Sequence, residues 1–199
     1  MGVLFSTLKD YFLGMLLHIP GAHWVIIVVF SLALSSYLMI RKKCSLHGAI
    51  CLGIAMFVGL LLIETAVVIR YLGVVGHNSG HDMTFDFSRF LRKSGEVPAE
   101  GISNIAAFIP FGLFLSEFLA SAKRFSARRR LGLATLAGFG LSLCIECLQL
   151  LLRVGFFELT DLVMNTLGAF VGSGFAILLR RFLRSLTLGR NDKEIPGAT

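Results

Sequence analysis

The sequence predicts an all-α protein, a polytopic membrane helix bundle of about five transmembrane helices. Five apolar runs of near-membrane length divide a chain that is 55% hydrophobic, only 16% charged and of mean hydropathy +0.79. Short basic clusters alternate with these runs, and cutting the chain into five spans puts every cluster on the same side. Eighteen Phe and twenty-one Gly fit the same class, because small residues let helix backbones approach each other in lipid.

The chain begins with an interfacial segment, residues 1–23. Leu4, Phe5, Leu8, Phe12 and Leu16 interleave there with Ser6, Thr7, Lys9 and Asp10, as in an amphipathic helix lying on the membrane and ending near Pro20. It has neither a basic n-region nor a small-residue cleavage site, so no cleaved signal peptide is expected.

The membrane body follows at residues 24–183. Span one covers about 24–40, anchored by Trp24 at the interface, and span two about 49–69. The stretch 74–100 is rich in Gly, Ser, Asn and charge and forms the sizeable extramembrane loop. Span three, about 102–122, contains Pro110 and is expected to kink there. Spans four and five cover about 131–152 and 162–179. Each approaches the roughly 17–25 residues that cross a hydrocarbon core about 30 Å thick. Residues 184–199 read as a polar cytoplasmic tail, frayed from Ser185.

The basic clusters orient this body. They are Arg41-Lys42-Lys43, then Lys123-Arg124 with Arg128-Arg129-Arg130, then Arg180-Arg181 with Arg184. One side receives thirteen Lys/Arg and three acids, the other six Lys/Arg and nine acids. Positive loops stay in the cytoplasm, which puts the N-terminus outside and the C-terminus inside. A net charge of +7 would suggest nucleic acid in a soluble protein. With the charge gathered at span ends, the partner is the lipid bilayer and nucleic acid is excluded.

Cys144-x-x-Cys147 has redox or metal spacing, but it lies in an apolar helix without further soft ligands. Buried small hydrophobes are the expected role. His77 and His81 are four apart, with Asp82 next, yet Asn78-Ser79-Gly80 between them makes a turn and removes any helical convergence. Gly168-x-x-x-Gly172, with Gly174, reads as a close helix contact.

Ionisable groups inside spans are costly, roughly 2.5–3.5 kcal/mol each at mid-membrane, and face a bundle interior or water. Glu64 lies in the outer third of span two, with Arg70 at its end. Asn104 opens span three. Glu146 and Gln149 occupy the outer half of span four, which finishes at Arg153, and Asp161 and Asn165 begin span five. All eight sit at one level below the outer surface. Glu146, Gln149 and Arg153 share one helical stripe and Asp161 and Asn165 another. The short turn between spans four and five makes them antiparallel neighbours whose stripes can meet. Such a cluster either locks helices together or forms a ligand-binding or catalytic pocket. Crowding near one surface favours the pocket, because glue has no need of it.

These residues also carry a family resemblance. Asn104-x-x-x-Phe108-x-Pro110-x-Gly112, Glu146-x-x-Gln149 and Asp161-x-x-x-Asn165-x-x-Gly168 follow in that order, with Arg153 after the Glu/Gln pair. Together they resemble the VanZ-like family of small bacterial membrane proteins, over roughly residues 50–180. The segment Val154-Gly155-Phe156-Phe157-Glu158 is more apolar than the family pattern. The resemblance implies a small helical bundle in the bacterial cytoplasmic membrane and no cofactor. The family's namesake is associated with low-level resistance to teicoplanin-type glycopeptides, without the usual remodelling of the precursor.

Three functions compete. The first is a non-enzymatic envelope protein whose outer polar pocket takes a lipid-linked cell-wall precursor, a glycopeptide or a partner helix. Arg70 and Arg153 would meet anionic groups there, while Glu146, Gln149, Asp161 and Asn165 would hydrogen-bond sugar or peptide. The second is an enzyme acting on a lipid-linked phosphate or glycan, with carboxylates as general acid and base. No nucleophile motif or metal set supports it, so no catalytic residue is assigned. The third is a small transporter or flippase, which needs a polar path from both faces. Only Glu117 lies in an inner half-span.

Overall fold

The computed structural model describes Leu17 and residues 19–41, 45–68, 71–72, 83–84, 99–122, 125–155 and 157–191. Helix α1 runs Gly21–Ile40, α2 Leu46–Ile63, α3 Ala99–Ser121, α4 Ala127–Leu152 and α5 Leu159–Asn191. α2 continues into a π-helical turn, Glu64–Val68. Among the described residues, five segments are long and apolar enough to cross a membrane: Gly21–Ile40, Leu46–Val68, Gly101–Ser121, Ala127–Leu152 and Leu159–Leu186. The molecule is an all-α, multi-pass membrane protein. Residues 1–16 and His18 of the interfacial segment lie outside the described residues, as do Arg70 and the stretch holding His77, His81 and Asp82.

Local chemistry sets the helix starts. Ser45 caps α2 by accepting from the Gly48 N–H at 3.2 Å, and Ser126 caps α4 by accepting from the Arg129 N–H at 3.4 Å. Capping by Ser126 draws Arg128, Arg129 and Arg130 into the first turn of α4, ahead of the expected start at residue 131. Pro20 precedes α1, and its carbonyl takes the His23 N–H at 2.9 Å. His23 therefore belongs to the first span and not to the interfacial segment. α3 runs unbroken through Pro110. α5 stays helical to Asn191, past the point where fraying was expected; the segment Arg180–Arg190 contains no proline to stop it.

α3 is the hub. It packs on α5 most extensively and also on α2 and α4, while α5 packs on α4 and α1 on α2. The α3–α5 seam is closed by glycine. Gly168 faces the Ile105 carbonyl, Gly172 the Ile109 carbonyl and Gly112 the Ala169 carbonyl, each too close for a Cβ. From Ile105–Gly168 to Ile109–Gly172 both indices rise together, so α3 and α5 are parallel. Gly174 faces open space and takes no part. Large apolar side chains such as Val25, Leu136, Phe175 and Leu178 remain exposed, which suits a lipid-facing surface.

Two ends result. At the carboxylate end α1, α3 and α5 begin and α2 and α4 finish; at the arginine end the directions reverse. A buried cluster of Val67, Phe108, Ile145 and Val154 sits under the carboxylate end. Above it, Met83–Thr84 (β1) pairs in parallel with Phe157–Glu158 (β2), Met83 opposite Phe157 and Thr84 opposite Glu158. This two-residue ladder pins part of the loop after α2 to the α4–α5 turn. A strand so short leaves no alternation to read in sequence.

Candidate functional site

Glu146, Gln149 and Asn165 are all buried, and each is held by a named partner. The Glu146 side chain is 2% exposed, and its Oε2 accepts the backbone N–H of Glu158 at 2.8 Å. The carboxylate thereby fastens the α4–α5 turn to α4. Gln149 donates its side-chain Nε2 to the Ala66 carbonyl of the π turn at 3.1 Å. Asn165 donates Nδ2 to Ser142 Oγ at 2.9 Å, joining α5 to α4. Ser142, Glu146 and Gln149 lie on one face of α4, so the stripe reading holds for these residues.

Widening at Glu64–Val68 shifts the carbonyl register, and Thr65 Oγ1 donates back to Leu61 and Leu62 at 2.9 and 3.2 Å. Such turns concentrate at functional positions, and here the turn offers the Ala66 carbonyl sideways to Gln149.

The structure divides the eight expected residues. Glu64 is buried and paired with His23 Nδ1 of α1 at 2.5 Å, so it ties α1 to α2. Asp161 and Asn104 are half-buried at the start of α5 and in the second turn of α3. Arg153 departs from the stripe. α4 stops at Leu152, and Arg153 takes the left-handed conformation with φ 59° and ψ 35°. Its N–H bonds the Leu150 carbonyl at 3.3 Å and the Val154 N–H bonds Gln149 at 3.0 Å, a Schellman closure with arginine where glycine is usual. Its side chain is exposed and forms no ion pair among the described residues. The seven-residue spacing from Glu146 carries no meaning once the last residue leaves the helix. Arg70 lies outside the described residues.

The cysteines also differ from expectation. Cys144 and Cys147 are exposed and Cys51 is buried. The buried face of α4 carries Ser142, Ile145, Glu146 and Gln149, which turns positions 144 and 147 outward. No group of three metal-ligating side chains occurs among the described residues.

Sequence reasoning missed two features. His23 was placed before the first span, although its position at one end of an apolar run matches the level of Glu64. The second feature is at the arginine end. Arg180 Nε donates to Glu117 Oε1 and Oε2 at 2.9 and 2.8 Å, and its Nη2 to Oε2 at 2.7 Å. His47 Nε2 approaches the same Oε2 at 3.5 Å and Cys51 Sγ at 3.6 Å. The signal was available: the five-span topology already places Glu117 and Arg180 at one depth.

A multi-pass helical bundle with polar ties concentrated at its two ends is therefore the class this chain defines. A family model described as VanZ/LLP1 matches residues 57–180, the stretch from mid-α2 to Arg180. The chain belongs to the VanZ-like family. No curated protein and no solved structure matches it.

Proposed function

We propose that the protein is a non-enzymatic component of the bacterial envelope. It lies in the cytoplasmic membrane with its N-terminus and carboxylate end outside and its C-terminus in the cytoplasm. The carboxylate end recognises a lipid-linked cell-wall precursor or a glycopeptide, and through that contact contributes to envelope homeostasis or to teicoplanin-type resistance. One observation carries the reading. Glu146, buried in the membrane body, holds the turn on which Met83–Thr84 pairs, and Asp161 follows that turn at the start of α5. A carboxylate that served only to join two helices would not need to sit beneath a strand pair between loops.

The test is a deletion strain challenged with teicoplanin and other wall-directed agents, complemented by Glu146→Gln with Asp161→Asn. At normal protein level the double variant is expected to fail to complement. Full complementation would sink the proposal. The orientation is checked by reporter fusions: one placed after residue 122 should remain cytoplasmic, and its export would reverse the assignment.

One observation favours transport as a second reading. Ser116 and Ser173 are fully buried, and their hydroxyls lack partners. They stand four residues beyond the Gly112–Ala169 contact on parallel helices, between the Asn165–Ser142 bond and the Glu117–Arg180 pair. Polar groups thus punctuate the α3–α5 seam from one end to the other. Cysteines introduced at 116 and 173 should react with a small aqueous thiol reagent if this file is hydrated; complete protection would remove the reading.

A further inference from the structure

The arginine end carries a half-buried cation, two of whose guanidinium nitrogens lack a hydrogen-bond partner. Arg130, in the first turn of α4, has its Nε and Nη1 shut off from solvent with no hydrogen-bond acceptor. It lies within electrostatic reach of Arg180, Glu117, Arg184 and Arg181. Glu117 is the one acid among the described residues at this end, and both its oxygens are engaged by Arg180. Glu117 turns its oxygens to Arg180 and His47 and gives Arg130 Nε and Nη1 no hydrogen bond, so a single negative charge faces two guanidinium groups. Buried N–H donors on a cation demand an acceptor, and an unsatisfied one points to an ion or water.

Depth identifies the acceptor. At 1.5 Å per residue, Arg180 stands roughly 32 Å along α5 from Leu159. A hydrocarbon core of about 30 Å then puts Arg180 and its neighbour Arg130 at the level of lipid phosphates. The N-terminus of α4 adds a positive dipole at the same place. Arg181 and Arg184 are exposed beside it. Guanidinium is the side chain best shaped for phosphate oxygens.

We propose that Arg130, rimmed by Arg181 and Arg184, is a specific phosphate site at the arginine end of the α3–α4–α5 junction, filled by the headgroup of an anionic phospholipid. A free phosphate ion has the same chemistry, so the test must separate the two. This inference is independent of the recognition role assigned to the opposite end.

The experiment is native mass spectrometry of the purified full chain, titrated with phosphatidylglycerol, phosphatidylcholine or inorganic phosphate. The wild type should prefer phosphatidylglycerol over phosphatidylcholine by at least about tenfold, and Arg130→Gln should erase most of that preference. Arg128→Gln, which removes an exposed charge of the same cluster, should retain it. Equal loss in both variants would mean a diffuse charge effect and overturn the site, as would an unchanged Arg130→Gln. Phosphate retained by the wild type without any phosphatidylglycerol preference would overturn the lipid assignment. If Arg130→Gln does not fold, Glu117→Gln decides. It frees Arg180 and should tighten phosphatidylglycerol binding, and weaker or unaltered binding counts against the site.

Discussion

Arg180 on α5 grips Glu117 on α3 with three contacts between 2.7 and 2.9 Å. The two helices that meet most closely along the glycine seam are thus also tied at the arginine end. Removing one partner strands a desolvated charge, at a cost of about 3 kcal/mol, the low end of the range for buried pairs because both groups keep some exposure. Glu117→Ala and Arg180→Ala should each lower the midpoint of thermal unfolding in detergent. Replacing both with methionine should recover much of the loss. A double variant no better than the singles would show that the pair is not the coupled unit described.

The glycine seam makes a sharper prediction, because it separates positions by geometry alone. A methyl group at Gly172 would collide with the Ile109 carbonyl, whereas one at Gly174 meets nothing. Gly172→Ala should destabilise by about 1–3 kcal/mol through forced separation of α3 and α5. Gly174→Ala should be neutral or slightly favourable, since alanine has the higher helix propensity. Thermal unfolding of the two variants side by side checks this.

Arg153 offers a stabilising substitution. Its φ of 59° places a Cβ-bearing residue where only glycine is free of penalty. Arg153→Gly should raise stability by roughly 1 kcal/mol, and Arg153→Val should lower it. If the side chain contacts an anionic ligand as well, the glycine variant will be more stable and less active. That divergence would be visible in the teicoplanin assay.

His23 and Glu64 hold α1 against α2, which is the main partner of α1 in the bundle. His23→Ala should loosen α1 while leaving the α2–α5 body folded. A cysteine at Ser35, which packs against Gly53, should then react with a membrane-permeant thiol reagent faster than in the parent. No change in rate would mean that apolar contact alone seats the helix.

Much was legible in the chain. Hydropathy period and length gave five spans, since a helix must satisfy its own backbone in lipid and little else can cross. The glycines at 168 and 172 were readable as a contact because only close approach requires small residues at that spacing. Glu146, Gln149 and Asn165 were found because a polar residue in an apolar run has few reasons to be there.

What remained hidden was partnership. Spacing places Glu64 at the level of Glu146, but only packing turns it to His23. Arg153 sits seven residues from Glu146 in the chain, yet the helix end removes it from the stripe, because a Schellman closure reverses the backbone within one residue. Cys144 and Cys147 face outward because Ser142, Ile145, Glu146 and Gln149 occupy the inner face. Sequence alone thus determined the membrane class and the number of spans, both of which follow from local hydropathy and the 1.5 Å rise. Tertiary structure alone decided which polar group meets which. That choice depends on helix rotation about its axis and on the order of neighbours, and neither is written in any single segment.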